Sequence, residues 1–308
     1  PRSDRCAAGL ATPDPSDPHR LMLDSLSLAD AAAADITLLS ATRRVQRVTG
    51  LQGMAQPREI VRPKPDRHGD IIDTKHLSGK TTTIEGQLTG ANEAAVWTEF
   101  DTIQKTLFAA VDTDRTLKWR RATSGTLLQA QVRLAGMFEG PLQSENGGNV
   151  LPYQIQLRRS DPRAFTQTQT TATGAALSAA AGGLTIPFTF PFTFTPSGGG
   201  VASVNNTGTV PTPPIFRLYG ACSSPQVLIV GTGKRIVLTG SVAAGDYLEV
   251  DVAERTVKLN GTTNRTNLLD FTATDWSELA TGSDTVRLLA ATFDANARVD
   301  VLYRMAYG

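Results

Sequence analysis

The sequence contains few cysteines, few histidines and no long apolar run, and each shortage narrows the possible functions. Only two cysteines occur in 308 residues, Cys6 and Cys222; one bridge would be a sparse framework, so two reduced thiols are expected. No stretch approaches the roughly 20 apolar residues of a membrane-spanning helix, and we expect no membrane partner. All three histidines fall within the first 76 residues, which leaves few candidates for a catalytic triad.

An excess of charge of either sign is also missing. The chain has 30 Lys and Arg against 29 Asp and Glu, a formal net charge of +1, so no global charge directs it to nucleic acid or an anionic surface. Its 40% hydrophobic and 19% charged residues are typical of a globular protein. Its length predicts two domains.

The pattern along the chain predicts a mainly β protein in four segments. A polar, proline-punctuated arm covers 1–20 and lacks the apolar core of a secretion signal. An α+β domain covers 21–165. A linker covers 166–183, whose only large apolar residue is Leu177. Strand-like runs at spacings near ten residues predict an antiparallel β-sandwich over 184–308.

One long helix is predicted in the first domain, over residues 92–111. Asn92 can accept a hydrogen bond as N-cap, and Glu93 suits the positive end of a helix. Apolar residues then recur every three or four positions, at Trp97, Phe100, Ile103, Leu107 and Val111, which predicts one apolar stripe facing the core.

A phenylalanine-rich stretch, GGLTIPFTFPFTFTPSGGG (182–200), follows the linker. Apolar residues occupy every second position from Ile186 to Phe194, as in a half-buried strand, and Pro187 and Pro191 restrict such a strand to a sheet edge. We expect an edge strand that enters the sandwich. A strap that docks on a partner is the alternative.

Three segments suggest active-site chemistry, but a structural interpretation of each is favoured. His68, Asp70, Asp73 and His76 offer metal ligands, yet they follow a proline-rich stretch (54–69) that predicts an irregular exposed loop. VGTGKR (230–235) lacks the first glycine and the Ser or Thr of a phosphate loop and predicts a hairpin turn. Asp246, Glu249 and Asp251 fit a solvated strand face. We therefore predict no catalytic, cofactor or metal site.

A basic segment in the first domain is the candidate functional surface. Lys118, Arg120 and Arg121 flank Trp119, and Gln129, Gln131 and Arg133 alternate with apolar residues on the next strand-like run. Such a surface could clasp a nucleic-acid backbone, contact a neighbouring protein, or be solvated. Because the net charge is near zero, we expect these seven residues to contribute to a protein interface.

The order of several segments resembles the distal tail proteins of siphovirus-type bacteriophages, which are adaptor rings at the tail tip. In the first half the resemblance rests on RHG, TTTIEGQLTG, the amphipathic helix, LKW and DPRAF. In the second half it rests on FPFTF, NNTGTVPTPPIFRLYG, GTGKRIVLTGSVAAGDYLEVDVAERTVKLNG, Trp276 and Gly282. The resemblance spans the chain from about Leu21 onward. The long, proline-rich N-terminal arm at 1–20 departs from the compact N-terminus expected of the family.

The resemblance implies a virion protein at the phage tail tip, assembled in the bacterial cytoplasm. Its first domain would form a ring, usually a homohexamer, that continues the tail tube. Its galectin-like sandwich would project outward. The implied partners are the tail tube protein, the tail-tip hub and a fibre or receptor-binding protein, while viral DNA passes the lumen without specific binding. The alternative is a tail-associated cell-wall hydrolase or carbohydrate-binding module.

Overall fold

A computed structural model describes residues 25–29, 35–59, 61–72, 76–108, 111–120, 125–136, 138, 149–177 and 200–308. The predicted N-terminal arm (1–20), Arg121 and the phenylalanine-rich strand predicted at 186–194 lie outside these residues. The mainly β prediction is confirmed, since 50% of the structure is strand and 8% is helix. The chain divides into two compact units between Ala164 and Phe165.

The first unit is built around one curled antiparallel sheet. Its elements are β1 (Ser25–Leu28), β2 (Ile36–Thr37), β3 (Arg43–Thr49), β4 (Pro57–Arg58), β5 (Val61–Pro63), β6 (Asp70–Ile72), β7 (His76–Leu77), β8 (Lys80–Thr89), α1 (Glu93–Phe108), β9 (Arg115–Arg120), β10 (Leu127–Leu134) and β11 (Val150–Arg159). The sheet order is β2-β1-β9-β10-β11-β8-β3. Residues 38–42 join β2 and β3, the strands at the two ends of this order.

Strict alternation of side chains gives the sheet one dry face and one wet face. In β8 the residues Thr82, Ile84, Gly86 and Leu88 are buried while their neighbours are partly exposed, and β11 shows the same pattern from Leu151 to Arg159. The dry face of β8 and β11 packs against α1. The core of the first unit therefore lies between one helix and one sheet face.

The predicted helix is present but ends earlier than expected. Asn92 caps it as predicted, since the Ala95 N–H donates to Asn92 Oδ1 at 2.9 Å. Val96, Ile103 and Leu107 are buried. The helix ends at Phe108 rather than Val111, because the Val111 N–H bonds to the Phe108 carbonyl at 3.2 Å, as in a tight turn.

The proline-rich stretch is a hairpin, so the prediction of an irregular loop is wrong. Strand β4 pairs with β7, and β5 pairs with β6 further along the same two segments. Pro57 begins β4 and Pro63 ends β5, and strand ends tolerate proline because no ladder donor is lost there. The Lys64 N–H closes the turn on the Gly69 carbonyl at 3.1 Å.

The second unit is an antiparallel β-sandwich, as predicted. Strand β12 (Ala164–Thr166) spans the division between the two units. The later strands are β13 (Thr170–Thr173), β14 (Val201–Asn206), β15 (Ile215–Tyr219), β16 (Cys222–Ser223), β17 (Gln226–Ile229), β18 (Arg235–Val237), β19 (Ser241–Val242), β20 (Tyr247–Asp251), β21 (Thr256–Leu259), β22 (Thr263–Asn264), β23 (Gly282–Leu289), β24 (Thr292–Phe293), β25 (Arg298–Tyr303) and β26 (Ala306–Tyr307), with a 3-10 turn at Thr266–Leu268. The sheets run β13-β25-β15-β20-β21-β22, β14-β23-β17-β18 and β19-β16-β24. Phe216, Leu218, Val227, Val286 and Val299 from the two larger sheets share one buried cluster.

The prediction of a linker over 166–183 is wrong for its described part. Strand β13 forms the edge of the six-stranded sheet, with Thr170 opposite Tyr303 and Thr173 opposite Asp300. An edge strand buries little surface, so threonines suffice and backbone hydrogen bonds supply the pairing. Residues 178–183 lie outside the described residues.

Candidate assembly surfaces

Six of the seven predicted interface residues lie on two neighbouring strands in the middle of the first unit's sheet, and Arg121 lies outside the described residues. Strand β9 pairs with β10, with Lys118 opposite Gln129 and Arg120 opposite Leu127. Lys118, Arg120, Gln129, Gln131 and Arg133 occupy the wet face of the sheet. Because β1 and β11 cover the outer sides of this pair, the surface is a sheet face and carries no free strand edge.

Trp119 does not belong to this surface. It is 1% exposed and points to the dry face, so alternation along β9 separates it from Lys118 and Arg120. The Arg159 guanidinium carbon lies 5.9 Å from the centroid of the Trp119 ring. The interpretation of Trp119 as a contact residue is therefore corrected: a side chain fully inside one chain cannot reach a second chain.

Two of the cations on the surface already have acidic partners within the same unit. Lys118 Nζ donates to Asp35 Oδ2 at 2.5 Å, and Arg133 Nε donates to Asp114 Oδ1 at 2.5 Å. The hydrogen bond and charge of Asp114 raise the pKa of Arg133. These pairs are exposed and contribute little stability, but the two cations do not require an acidic neighbour in another copy.

Strand β3 forms one end of the sheet order. It carries exposed Arg44, Gln46 and Arg47, and its pairing with β8 shifts register between Val45 and Arg47. Charge and a bulge are common features of edge strands that must not pair at random. Arg43 fixes the start of β3, since Nε and Nη2 donate to Glu99 Oε2 on α1 at 2.8 and 2.6 Å.

The base of the hairpin is held by two buried or half-buried cations. Arg159 Nη2 donates to the carbonyls of Gly50 and Leu51 at 3.1 and 3.2 Å. Lys80 Nζ donates to the carbonyls of Gln52 and Gly53, each at 2.5 Å. Burial lowers the pKa of Arg159, while burial and the charge of Arg159 lower that of Lys80. Four consecutive carbonyls are thus fixed directly before the hairpin begins.

The segments that suggested chemistry have structural roles in the described residues. Glu249 pairs with Arg217 at 2.9 Å, and Asp251 accepts the N–H groups of Ala253 and Glu254 in a turn. VGTGKR forms the hairpin turn between β17 and β18, as predicted, with the Gly233 N–H on the Ile229 carbonyl.

The structure reveals no group of metal-binding side chains and no helix able to cross a membrane where its residues are described. Asp73, one member of the suspected metal set, lies outside those residues. Cys222 is buried without a disulfide, and burial raises the pKa of its thiol to about 11. That thiol is therefore protonated and unreactive at neutral pH.

Solved structures of a phage adsorption-apparatus protein and of a phage baseplate share this fold. The crystal structure of SPP1 Dit, described as a paradigm of the hub adsorption apparatus in phages that infect Gram-positive bacteria, matches with a TM-score of 0.63 at 13% identity, over 92% of this chain and 99% of that one. A chain of the phage p2 baseplate, in its activated conformation with strontium, matches with a TM-score of 0.52 at 12% identity, over 91% and 97%. The fold thus defines a two-unit β protein of the kind found in those two structures.

The family comparison is more specific. Residues 207–307 match the family described as siphovirus-type tail component, C-terminal domain. The second unit therefore resembles the C-terminal domain of siphovirus-type tail components, and the resemblance indicated by the sequence motifs is confirmed. No curated protein sequence matches the chain.

Sequence reasoning found the basic surface but missed two features of the first unit. One is the strand pairing between Gln56 and Leu77; the described side chains there are all exposed, as predicted for 54–69. The other is the end of α1, where Phe108 is 79% and Val111 is 45% exposed. Phe108 lies off the predicted apolar stripe, which was the available signal for its exposure, whereas Val111 was predicted on the stripe.

Proposed function

We propose that this chain is a structural, non-enzymatic adaptor at the distal end of a phage tail, where it forms a closed ring, in the family usually of six copies. The observation that carries the proposal is the match of residues 207–307 to the siphovirus tail-component family. The adaptor would join the tail tube to the tail-tip hub and the receptor-binding apparatus. Its function is binding, and it needs no cofactor.

The open end of the first unit's sheet supports ring formation. Strand β3 pairs with β8 on one side, and no strand within the described ranges pairs with its other side. An exposed edge must be covered, charged or paired. Pairing with an identical copy, repeated by rotation about an axis, would cover the edge in every copy and close a ring.

The polar surface on β9 and β10 is proposed to face protein in the assembly. A strongly basic channel through the ring would retain viral DNA through its phosphates. We therefore place Lys118, Arg120 and Arg133 against a neighbouring subunit, unless an ion pair within the chain neutralises their charge. The ion pairs of Lys118 and Arg133 satisfy that requirement in part. Arg120, Arg121, Gln129 and Gln131 are the residues proposed to contact a neighbouring subunit.

Charge reversal tests this surface. The double variant Arg120→Glu and Arg121→Glu is expected to reduce ring formation, because like charges would then face the contact. Size-exclusion chromatography with light scattering measures the loss. Lys234→Glu with Arg235→Glu, in an exposed hairpin turn of the second unit, is the matched control. Rings that form normally in the first variant would refute the assignment.

The location in the virion can be tested by labelling. Virions that contain this chain, decorated with an antibody raised against residues 200–308, are expected to carry the label at the distal end of the tail in negative-stain images. Label along the tail shaft, on the capsid or on no virion would reject an adaptor at the tail tip.

A further inference from the structure

We propose that the hairpin of one copy docks on the C-terminal end of α1 in the next copy and so fastens neighbouring subunits of the ring. The inference rests on the proposed ring function and names the contact that holds the ring together. We call residues 54–77 the arm, which is distinct from the N-terminal arm at 1–20, and we call Phe108 with Val111 and Asp112 the helix exit.

The arm has the form of an interaction element. Its paired segments converge on the turn that Lys64 and Gly69 close, and by strand geometry it extends on the order of 20 Å. Every described side chain from Gln56 to Leu77 is exposed. An isolated two-stranded hairpin is marginally stable in water, so this arm would gain order and buried surface by packing on a partner.

The base of the arm is rigid although its length is solvated. Arg159 and Lys80 hold the four carbonyls from Gly50 to Gly53, and the Ser78 hydroxyl donates to the Gln56 carbonyl at 2.7 Å. These bonds fix the direction in which the arm leaves the unit. A preorganised arm loses less conformational freedom on docking than a loose loop would.

The exposed apolar side chains of the first unit are confined to these two regions. Among its described residues, the large apolar side chains that solvent reaches are Met54, Val61 and Leu77 on the arm and Phe108 and Val111 at the helix exit. The other large apolar side chains of the sheet and helix are buried or partly covered. Two separate apolar sites on one unit suit a contact between different surfaces of successive copies.

Charges of opposite sign occur locally at the turn of the arm and at the helix exit. Lys64 and Arg67 are exposed at the turn, with Asp66 between them. Glu59 and Asp70 are exposed further along, so the arm as a whole is close to neutral. The helix exit carries exposed Asp112 and the last carbonyls of α1, which hold the partial negative charge of a helix C-terminus. Lys64 and Arg67 at the turn therefore suit the negative end of α1 in a second copy of this chain, and that end is the site that receives the arm.

Such a contact joins unlike surfaces, so its geometry has a consequence. Each copy would offer one arm and one helix exit, and each bond would leave one of each unused. Contacts of this kind continue until they close a ring or grow into a filament. In a closed ring every arm is engaged, and the last contact forms within the assembly, which strengthens the whole.

The test uses charge reversal and its rescue in the full chain. The arm variant Lys64→Glu with Arg67→Glu should raise the dissociation constant of ring assembly roughly tenfold or more, since like charges would then oppose each other. Adding Asp112→Arg should restore assembly in large part. Lys234→Glu with Arg235→Glu, also two basic residues in an exposed turn, is the control and should assemble as the parent chain does.

A crosslinking measurement identifies the contact directly. In a Cys6→Ser background, chains with Arg67→Cys and Val111→Cys, treated with a short bis-maleimide, are expected to give covalent dimers and larger multimers, whereas either substitution alone is expected to give no ladder. Circular dichroism of each variant is the folding control, and each is expected to retain the parent's strand signal.

Each outcome decides between the claims. An arm variant that assembles like the parent chain overturns the arm contact and leaves the ring proposal standing. Weakened assembly that Asp112→Arg does not rescue, with no crosslinked ladder, overturns the helix exit as the docking site. A parent chain that never assembles contradicts the ring and the arm contact together.

Discussion

Single side chains in this protein take their roles from the face of the strand on which they lie. Lys118, Trp119 and Arg120 are consecutive, yet the first and third are partly exposed while Trp119 is buried. The sequence predicted all three as contacts because basic residues flank an aromatic. The period-two geometry of a strand excludes that grouping.

Trp119→Ala is expected to destabilise the first unit by about 3–5 kcal/mol, the usual cost of deleting a large buried aromatic side chain. Urea-induced unfolding, at a dilution where the copies are separate, measures the free energy. Gln129→Ala, on the wet face, is the control and should change it by less than about 0.5 kcal/mol. Equal stability of the Trp119 variant and the parent would contradict the core position.

Gly50 is a second residue whose surroundings decide its role. Its φ is +72°, and an added Cβ would lie 2.0 Å from the carbonyl oxygen of Thr81. Gly50→Ala should therefore cost more than the roughly 1–2 kcal/mol of left-handed strain alone. Gly53→Ala is the matched control, since φ is +86° there with nothing within 4 Å of the added Cβ. Thermal unfolding compares them, and equal losses would argue against the close approach.

At the scale of elements, the sequence predicted what a local period encodes. The helix was recognised from its apolar stripe and from Asn92, whose capping bond is present. The sandwich strands were recognised from their spacing. Strand β13 and the hairpin of β4 to β7 were missed. The partner of β13 is distant in sequence, and the hairpin carries prolines at its strand ends. Neither segment has a periodic pattern of apolar residues that would reveal a strand.

The link between β3 and α1 is an element-scale contact that no sequence pattern encodes. Arg43 makes two hydrogen bonds to Glu99, and the two side chains are 14% and 28% exposed. A double-mutant cycle with Arg43→Met and Glu99→Gln is expected to give a coupling energy of about 1 kcal/mol, because the pair is only partly shielded from water. Additive effects of the two substitutions on urea unfolding would show that the pair does not couple helix and strand.

At the scale of the whole molecule, the sequence predicted the class of protein from the order of its segments. The family match over residues 207–307 bears this out. The proposed interface could be anticipated only in part, since alternation marks a wet face without saying what covers it. The open side of β3 and the exposed arm become visible only when the sheet order and the burial of each residue are known.

The central claim is that the first unit presents β surface that identical copies complete. Mass photometry of the full chain over a range of concentrations tests it most directly. The account predicts a discrete ring species, with six copies as the expected mass, that persists on dilution because closure strengthens the last contact. A single-chain mass at every concentration, with no ring in negative-stain images of the same sample, would contradict it.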